Sequence, residues 1–333
     1  MKVLFIGGTG NISSAISKIA IEKGIEIHHL NRGNAEPVEG AFLHMGDIAH
    51  IDKSHDVIRK HKWDVVVNWI AFTPDEVLRD YHLFNGITNQ YIFISSASAY
   101  QKPPLSPVIT ESTPLVNPFW DYSRNKAACE DKLMQFHRQD QFPITIVRPS
   151  HTYNTVIPIS LGGWTEYTTV DRMKKGLPVI VHGDGTSLWT ITHADDFAVG
   201  FIGLLNNPKA IGEAFHITSD EVMTWNYIYK MVGRAVGVNP DLVHIASKTI
   251  VSFAEKNNGP DVRGTLLGDK SYSAIFDNSK IKRVVPEFNC VIPFHKGIKK
   301  TIEWFEDSKE RMIIDPSTNR FFNQLISNYK SKD

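Results

Sequence analysis

Short apolar runs alternate with helix-period segments through the first half of the chain. Residues 3–6 (Val-Leu-Phe-Ile) form a continuous apolar run closed by glycine, the pattern of a strand buried on both faces. Residues 12–22 place apolar side chains at helical spacing, and residues 25–30 read as a second strand. Further strand-like runs fall at 64–67, 91–94 and 144–147, with helix-like stretches at 52–60 and 120–139. This β-α alternation predicts an α/β fold built on a doubly wound parallel sheet. The pattern breaks after Pro149, where proline, glycine and aromatics crowd residues 153–164 and 177–185. A helix pattern returns at 195–205 and a strand pattern at 214–217. The expected organisation is therefore one domain of residues 1–150 plus 195–218. A smaller α+β domain takes residues 151–194 and 219–310, and residues 311–333 form a peripheral tail with one helix.

The charge balance narrows the possible partners. The 333 residues carry 36 basic and 36 acidic side chains, which argues against a chain built to bind nucleic acid or an anionic membrane. Cys129 and Cys290 have no close cysteine partner, so neither a disulfide framework nor a zinc knuckle is expected. No apolar run reaches the ~18 residues that a membrane span needs. Lys2 leads a short strand into a glycine turn, unlike a signal peptide, and a cytoplasmic location is expected. His182, His193 and His216 are scattered without metal-ligand spacing, so no metal is expected.

The first candidate chemistry lies in Gly7-Gly8-Thr9-Gly10-Asn11-Ile12-Ser13, which follows the first strand and opens the first helix. Gly7 permits a tight turn, and Gly10 lets backbone approach a pyrophosphate. The helix start, through Thr9, Asn11 and Ile12, brings amide donors and a positive dipole end. Ser13 stands where a third glycine would favour close helix–strand packing, and it is small enough to serve. The second strand ends in Asn31-Arg32, where an NAD site usually has a carboxylate for the adenosine ribose. Arg32 suits a 2′-phosphate instead, which favours NADP over NAD as cofactor.

A tyrosine and a lysine four apart, Tyr122 and Lys126, share one face of the 120–139 helix. A free phenol has a pKa of ~10 and needs help to act as a base near neutrality. A neighbouring ammonium and an oxidised nicotinamide ring would favour the phenolate. The preceding strand ends in Ser95-Ser96-Ala97-Ser98, at the carboxyl edge of the sheet, where such folds bind ligands.

Taken together, these residues resemble the extended branch of the short-chain dehydrogenase/reductases, the branch of sugar-nucleotide epimerases and dehydratases. The resemblance spans roughly residues 1–305. It rests on the glycine turn, Asp47, Asn68-Trp69-Ile70-Ala71, the serine strand, Tyr122-x-x-x-Lys126 and Arg148-Pro149. It implies a Rossmann-type domain with a C-terminal substrate domain. It implies Ser96 as the catalytic serine ahead of Ser98, and Lys126 as a contact of the nicotinamide ribose. It places Asp47 and Ile48 about the adenine, Asn68 and Ala71 near the cofactor, and Pro149 to His151 toward the nicotinamide. It also implies a small-molecule substrate and pairing into homodimers through helices beside the Tyr122 helix.

The chain departs from that pattern at the substrate end. Trp189 stands where sugar-nucleotide members usually carry an arginine for the substrate phosphates, and Tyr153-Asn154-Thr155 replaces a Tyr-Gly-Pro turn. Trp189 is either a substrate contact or core packing, and His151 either touches substrate or is a satisfied loop histidine. Asp195 and Asp196 open a helix and read as caps. The expected activity is oxidoreduction or epimerisation at a hydroxyl or keto carbon, with Tyr122 moving the proton. A nucleotide-binding regulator or RNA-binding protein on the same fold is the alternative, since fold alone does not decide function.

Overall fold

The computed structural model describes residues 1–50 and 58–331. Most of the helix expected over 52–60 falls at 51–57, outside the described residues. The other strands and helices expected in the first half are present with bounds within two residues of the pattern, while the strands Phe42–Met45 and Val108–Ile109 and the helix Pro74–Phe84 were not expected. Strand β1 (Lys2–Ile6) leads into helix α1 (Asn11–Glu22) and strand β2 (Glu26–Asn31). Strand β3 (Phe42–Met45) precedes β4 (Val65–Asn68), helix α2 (Pro74–Phe84) and β5 (Tyr91–Ile94). A two-residue strand, β6 (Val108–Ile109), comes before helix α3 (Asp121–Asp140) and β7 (Ile144–Pro149).

The second half adds β8 (His151–Tyr153), α4 (Thr168–Lys174), β9 (Val179–His182) and β10 (Leu188–His193). Helix α5 (Ala194–Leu204) and strand β11 (Glu213–Ile217) return to the first sheet. Beyond them come β12 (Val222–Thr224), α6 (Trp225–Ala235), β13 (Leu242–Ile245) and α7 (Ser247–Lys256). The chain closes with β14 (Ile275–Phe276), α8 (Ser279–Val284), α9 (Phe294–Glu306) and α10 (Pro316–Lys330).

Seven strands pair in the order β11-β7-β5-β4-β1-β2-β3, all parallel, with the chain reversing direction of growth between β1 and β4. The register matters for function. Ile6 pairs with both Leu30 and Asn68, and Asn68 pairs with Phe93. The strands therefore end level, and the turns after β1, β2, β4 and β5 emerge side by side at one edge. One face of the sheet buries Val3, Phe5, Ile16 and Phe201 with α1 and α5. The other buries Leu4, Ile6, Phe93 and Leu133 with α2 and α3.

A buried polar network ties the far half of this sheet together. Arg148 grips Glu130 with two nitrogens, at 2.9 Å from Nε and 2.6 Å from Nη2. Ser95 Oγ donates to Glu130 at 2.5 Å, and Arg148 Nη1 donates to Tyr100 Oη at 3.0 Å. Tyr100 bonds His216 Nδ1 at 3.0 Å, and His216 Nε2 lies 2.8 Å from the Asp277 carbonyl. Bidentate geometry with the remaining lone pairs satisfied is what lets such charges stay buried.

A third core fills the second half, around Trp225, Tyr229, Ile250 and Phe294. The tail expected to be peripheral enters it. Phe321, Phe322, Leu325 and Ile326 of α10 are buried there, and the guanidinium of Arg172 donates to Asn319 and Asn323. Their apolar side chains recur at helical spacing, a stripe that the polar composition of the tail masked.

The Glu130–Arg148 pair makes a first prediction. Arg148→Met leaves a buried, uncompensated carboxylate and is expected to lower the unfolding free energy by about 3–5 kcal/mol. The double variant Arg148→Met, Glu130→Leu is expected to recover much of that loss. Equilibrium urea unfolding of the two variants checks both statements.

Candidate active site

The level strand ends form the floor of a cavity of about 710 Å3. The glycine turn supplies one wall through Gly7, Gly10, Asn11 and Ile12. Ser96, Ser98 and Tyr122 form the centre, and Pro149, His151 and Trp189 the opposite side. The structure thus brings together residues up to 269 positions apart, from Gly7 to Phe276.

The glycine turn is built for close approach. Gly7 has φ +83°, a region that favours glycine, and a Cβ there would lie 2.6 Å from Ile70. At Gly10 a Cβ would meet only Ser13 Oγ, at 3.4 Å, so the space above is open. Gly10 is the N-cap of α1 and has no side chain to accept from the first-turn amides. Ser13 Oγ accepts from Gly10 N at 2.9 Å and donates to the Gly7 carbonyl at 3.2 Å, which pins the turn from below. Thr9 sits within the turn, partly exposed. A pyrophosphate fits against such a helix start, where amides and the dipole favour an anion.

Asn11 has a structural task as well. Its Nδ2 donates to the Thr152 carbonyl at 3.0 Å, and its Oδ1 accepts from Thr155 N at 3.0 Å. The remaining adenine-side candidates lie outside the cavity, along the ends of β2 and β3. Asn31 Oδ1 accepts from Gly8 N at 3.1 Å, and Arg32 is exposed just beyond. Asp47 accepts from Ala49 N at 2.9 Å, while Ile48 is buried in the core beneath the sheet.

Beneath the floor lie Asn68, Ala71 and Lys126. Asn68 Oδ1 accepts from Ile70 N at 2.8 Å, and its Nδ2 donates to the buried Asp80. That carboxyl also accepts from Tyr91 Oη at 2.6 Å and pairs with Arg79. Lys126 Nζ donates to the carbonyls of Ala71 and Ile94, each at 2.7 Å. It faces the rings of Phe72 at 4.4 Å, Phe93 at 4.8 Å and Tyr122 at 5.8 Å. Burial pulls its ammonium from an ordinary value near 10.5 down to about 8.

At the centre, Ser96 Oγ lies 2.9 Å from Ser98 Oγ, which accepts from Ser123 Oγ at 2.8 Å. Burial raises the Tyr122 phenol above its ordinary value, the hydrogen bond with Ser96 pulls it down, and the Asp269 charge pushes it up again. Lys126 Nζ lies near the Tyr122 ring but turns donors to the two carbonyls beneath it.

At the far wall His151 stacks on Trp164, with ring centroids 5.3 Å apart, and its Nδ1 has no partner among the described residues. Burial first, and the Lys270 charge second, keep this imidazole neutral. Trp189 belongs to the third core and to the cavity wall at once, 5.4 Å from Trp225, with Nε1 unpartnered. Asp196 accepts from Val291 N at 3.1 Å and Ile292 N at 2.9 Å, and Asp195 lies 3.5 Å from His193. Both thus serve structure rather than the cavity. Sequence reasoning passed over Lys102, Trp164, Asp269 and Lys270, which also line the cavity. No spacing marks them, since Lys102, Trp164 and the Asp269-Lys270 pair arrive from three separate segments. Among the described residues no cluster of His, Cys, Asp or Glu could hold a metal, and no helix is long and apolar enough to cross a membrane.

Comparison with known proteins agrees with this geometry. A family model described as the NAD dependent epimerase/dehydratase family matches residues 3–81 and 76–218. The chain is 26% identical to a chloroplast stem-loop binding protein of 41 kDa from Arabidopsis thaliana, covering 87% of this chain and 76% of that one. It is 22% identical to a 2'-dehydrokanamycin reductase of Streptomyces kanamyceticus, over 86% and 80% of the two chains. In fold it is similar to a UDP-glucuronic acid 4-epimerase from Bacillus cereus solved with UDP-glucuronic acid and NAD. That match has a TM-score of 0.73 at 18% identity and covers 92% of this chain and 99% of that one. The chain belongs to the NAD-dependent epimerase/dehydratase family, enzymes of the short-chain dehydrogenase/reductase type.

Proposed function

We propose that this protein carries out nicotinamide-dependent oxidoreduction or epimerisation at a carbinol carbon of a sugar or related small molecule. The observation that carries the reading is Tyr122 and Ser96 lining the same cavity as the open glycine turn, at the carboxyl edge of the sheet. A nicotinamide held in this cavity would supply or accept the hydride. Tyr122 takes or returns the hydroxyl proton, and Ser96 orients the substrate oxygen toward it. Lys126 braces the floor through the Ala71 and Ile94 carbonyls, which leaves it a third N–H that would be free to hold a cofactor ribose. Burial, which raises the Tyr122 phenol, favours its role as proton donor in the direction of reduction. In the direction of oxidation the positive charge of an oxidised nicotinamide would favour release of that proton.

The similarity to a stem-loop binding protein favours a second reading, in which the fold binds RNA. Neutral net charge and the assembled Ser96, Tyr122 and Lys126 count against it. RNA affinity that falls steeply with salt and is indifferent to Tyr122→Phe would favour it.

Arg32, exposed beyond β2, supports NADP as the preferred cofactor. Fluorescence titration is expected to give tighter binding of NADPH than of NADH, with the difference lost in Arg32→Ala. Equal affinities in the wild type would remove that role from Arg32.

Tyr122→Phe is expected to bind nucleotide normally yet slow hydride transfer about 10²–10⁴-fold. The change in nicotinamide absorbance with any carbinol substrate that turns over measures this. A variant within a few-fold of wild type would rule out Tyr122 as the proton-transfer group.

Lys126 gives a pH dependence. The folded chain releases this proton near pH 8, whereas the unfolded chain holds it to about pH 10.5. Below pH 8 both states are charged, and the buried ammonium opposes folding in full. Between the two values the unfolded state binds more protons, so stability rises with pH. Relative to Lys126→Met, the wild type is expected to gain up to about 3 kcal/mol across this window, measured by urea unfolding at several pH values.

A further inference from the structure

We propose that Lys102 is a substrate-binding residue for an oxyanion, so that the molecule reduced or oxidised here carries a carboxylate or phosphate beside its ring. The inference rests on the hydride-transfer reading above and names the substrate class for that same cavity.

Lys102 is 3% exposed and lines the cavity wall. Its backbone is fixed by a bond from Lys102 N to the Val116 carbonyl at 2.9 Å. Its ammonium, however, has neither a hydrogen bond nor an ion pair among the described residues. It lies over the face of Trp189, 5.9 Å from the ring centroid. Lys126 shows how this protein satisfies a buried lysine that has a structural task, with two carbonyls at 2.7 Å. Lys102 has no such arrangement. A buried cation without partners is strongly disfavoured unless something else supplies the opposite charge.

The surroundings favour an anion. The charged side chains of the cavity wall are Lys102, Lys270 and Asp269, two cations and one carboxylate, a net +1. Asp269 is already engaged with Lys270 at 3.6 Å. The two sit on a single π-turn, Leu266–Lys270, closed by Ser271 N to the Leu266 carbonyl at 3.0 Å. Asn117 clamps this turn to the serine loop, donating to the carbonyls of Gly268 at 2.6 Å and Ser98 at 2.7 Å. Lys102, Tyr122 and Asp269 line the same cavity, so an anion held by Lys102 lies within reach of the reacting phenol.

The rest of the wall suits a ring. Trp189 and the stacked His151–Trp164 pair present flat apolar faces. Trp164 is held at φ +63°, its backbone exchanging two 2.8 Å bonds with Ile157, which fixes the indole beside His151. A sugar acid or a ring phosphate therefore matches the cavity better than a neutral sugar.

The test is a tryptophan-fluorescence titration of protein saturated with oxidised nucleotide. Glucose, glucuronate, glucose 6-phosphate and inorganic phosphate are the probes. At least one anionic sugar is expected to bind about tenfold or more tightly than glucose. Whichever of glucuronate and glucose 6-phosphate binds better separates carboxylate from phosphate. Lys102→Met is expected to erase the preference while nucleotide affinity, measured in parallel, stays as in the wild type. The proposal is overturned if neither anionic sugar outbinds glucose, if no anion binds saturably, or if the preference survives in Lys102→Met. Failure of nucleotide itself to bind would instead strike the hydride-transfer reading, and is seen in the first step.

Discussion

The bidentate pair of Glu130 and Arg148 supports the catalytic half of the sheet. It joins the end of β5, helix α3, β7 and, through Tyr100 and His216, β11 and the segment entering α8. Ser95 is one of its members, so the residue before Ser96 is bonded to the same carboxylate that anchors the helix carrying Tyr122 and Lys126. A serine and a tyrosine on separate elements need a shared rigid support to stay within hydrogen-bonding reach. This network supplies it without using the groups that face the cavity.

Most of the first 150 residues were readable because β1, β4, β5 and β7 are buried on both faces and α1 shows one apolar stripe. Local pattern and global fold then agree. The boundaries of α3 and α5 came within a residue of the pattern for that reason. β3 escaped notice, since Phe42 and Met45 at the sheet edge are exposed and its four residues carry no alternation. The second half escaped more widely. Its strands are two to six residues long and pair across distant segments, as β14 does with β6, so periodicity has no length in which to show.

The site divides in the same way. Gly7, Gly10, Ser96, Tyr122 and Lys126 occupy fixed positions on regular elements, and spacing revealed them. Lys102, Trp164 and Asp269 reach the cavity from loops whose courses depend on contacts such as Asn117 to Gly268. Nothing in a linear sequence distinguishes such a lysine from a solvated one. Asn68 and Asn31 illustrate the converse. Both were selected for the cofactor, and the fold uses their amides to hold Asp80 and the Gly8 turn.

Asn11 joins two regions that the chain order keeps 141 residues apart. It is the first residue of the helix that opens from the glycine turn, and its amide is bonded on both sides to the segment that follows His151. The cradle and the far wall are thus one mechanical part. A shift of the glycine turn therefore cannot leave the strand bearing His151 where it is without breaking these two bonds, so the opposite walls of the cavity keep their spacing through a single carboxamide.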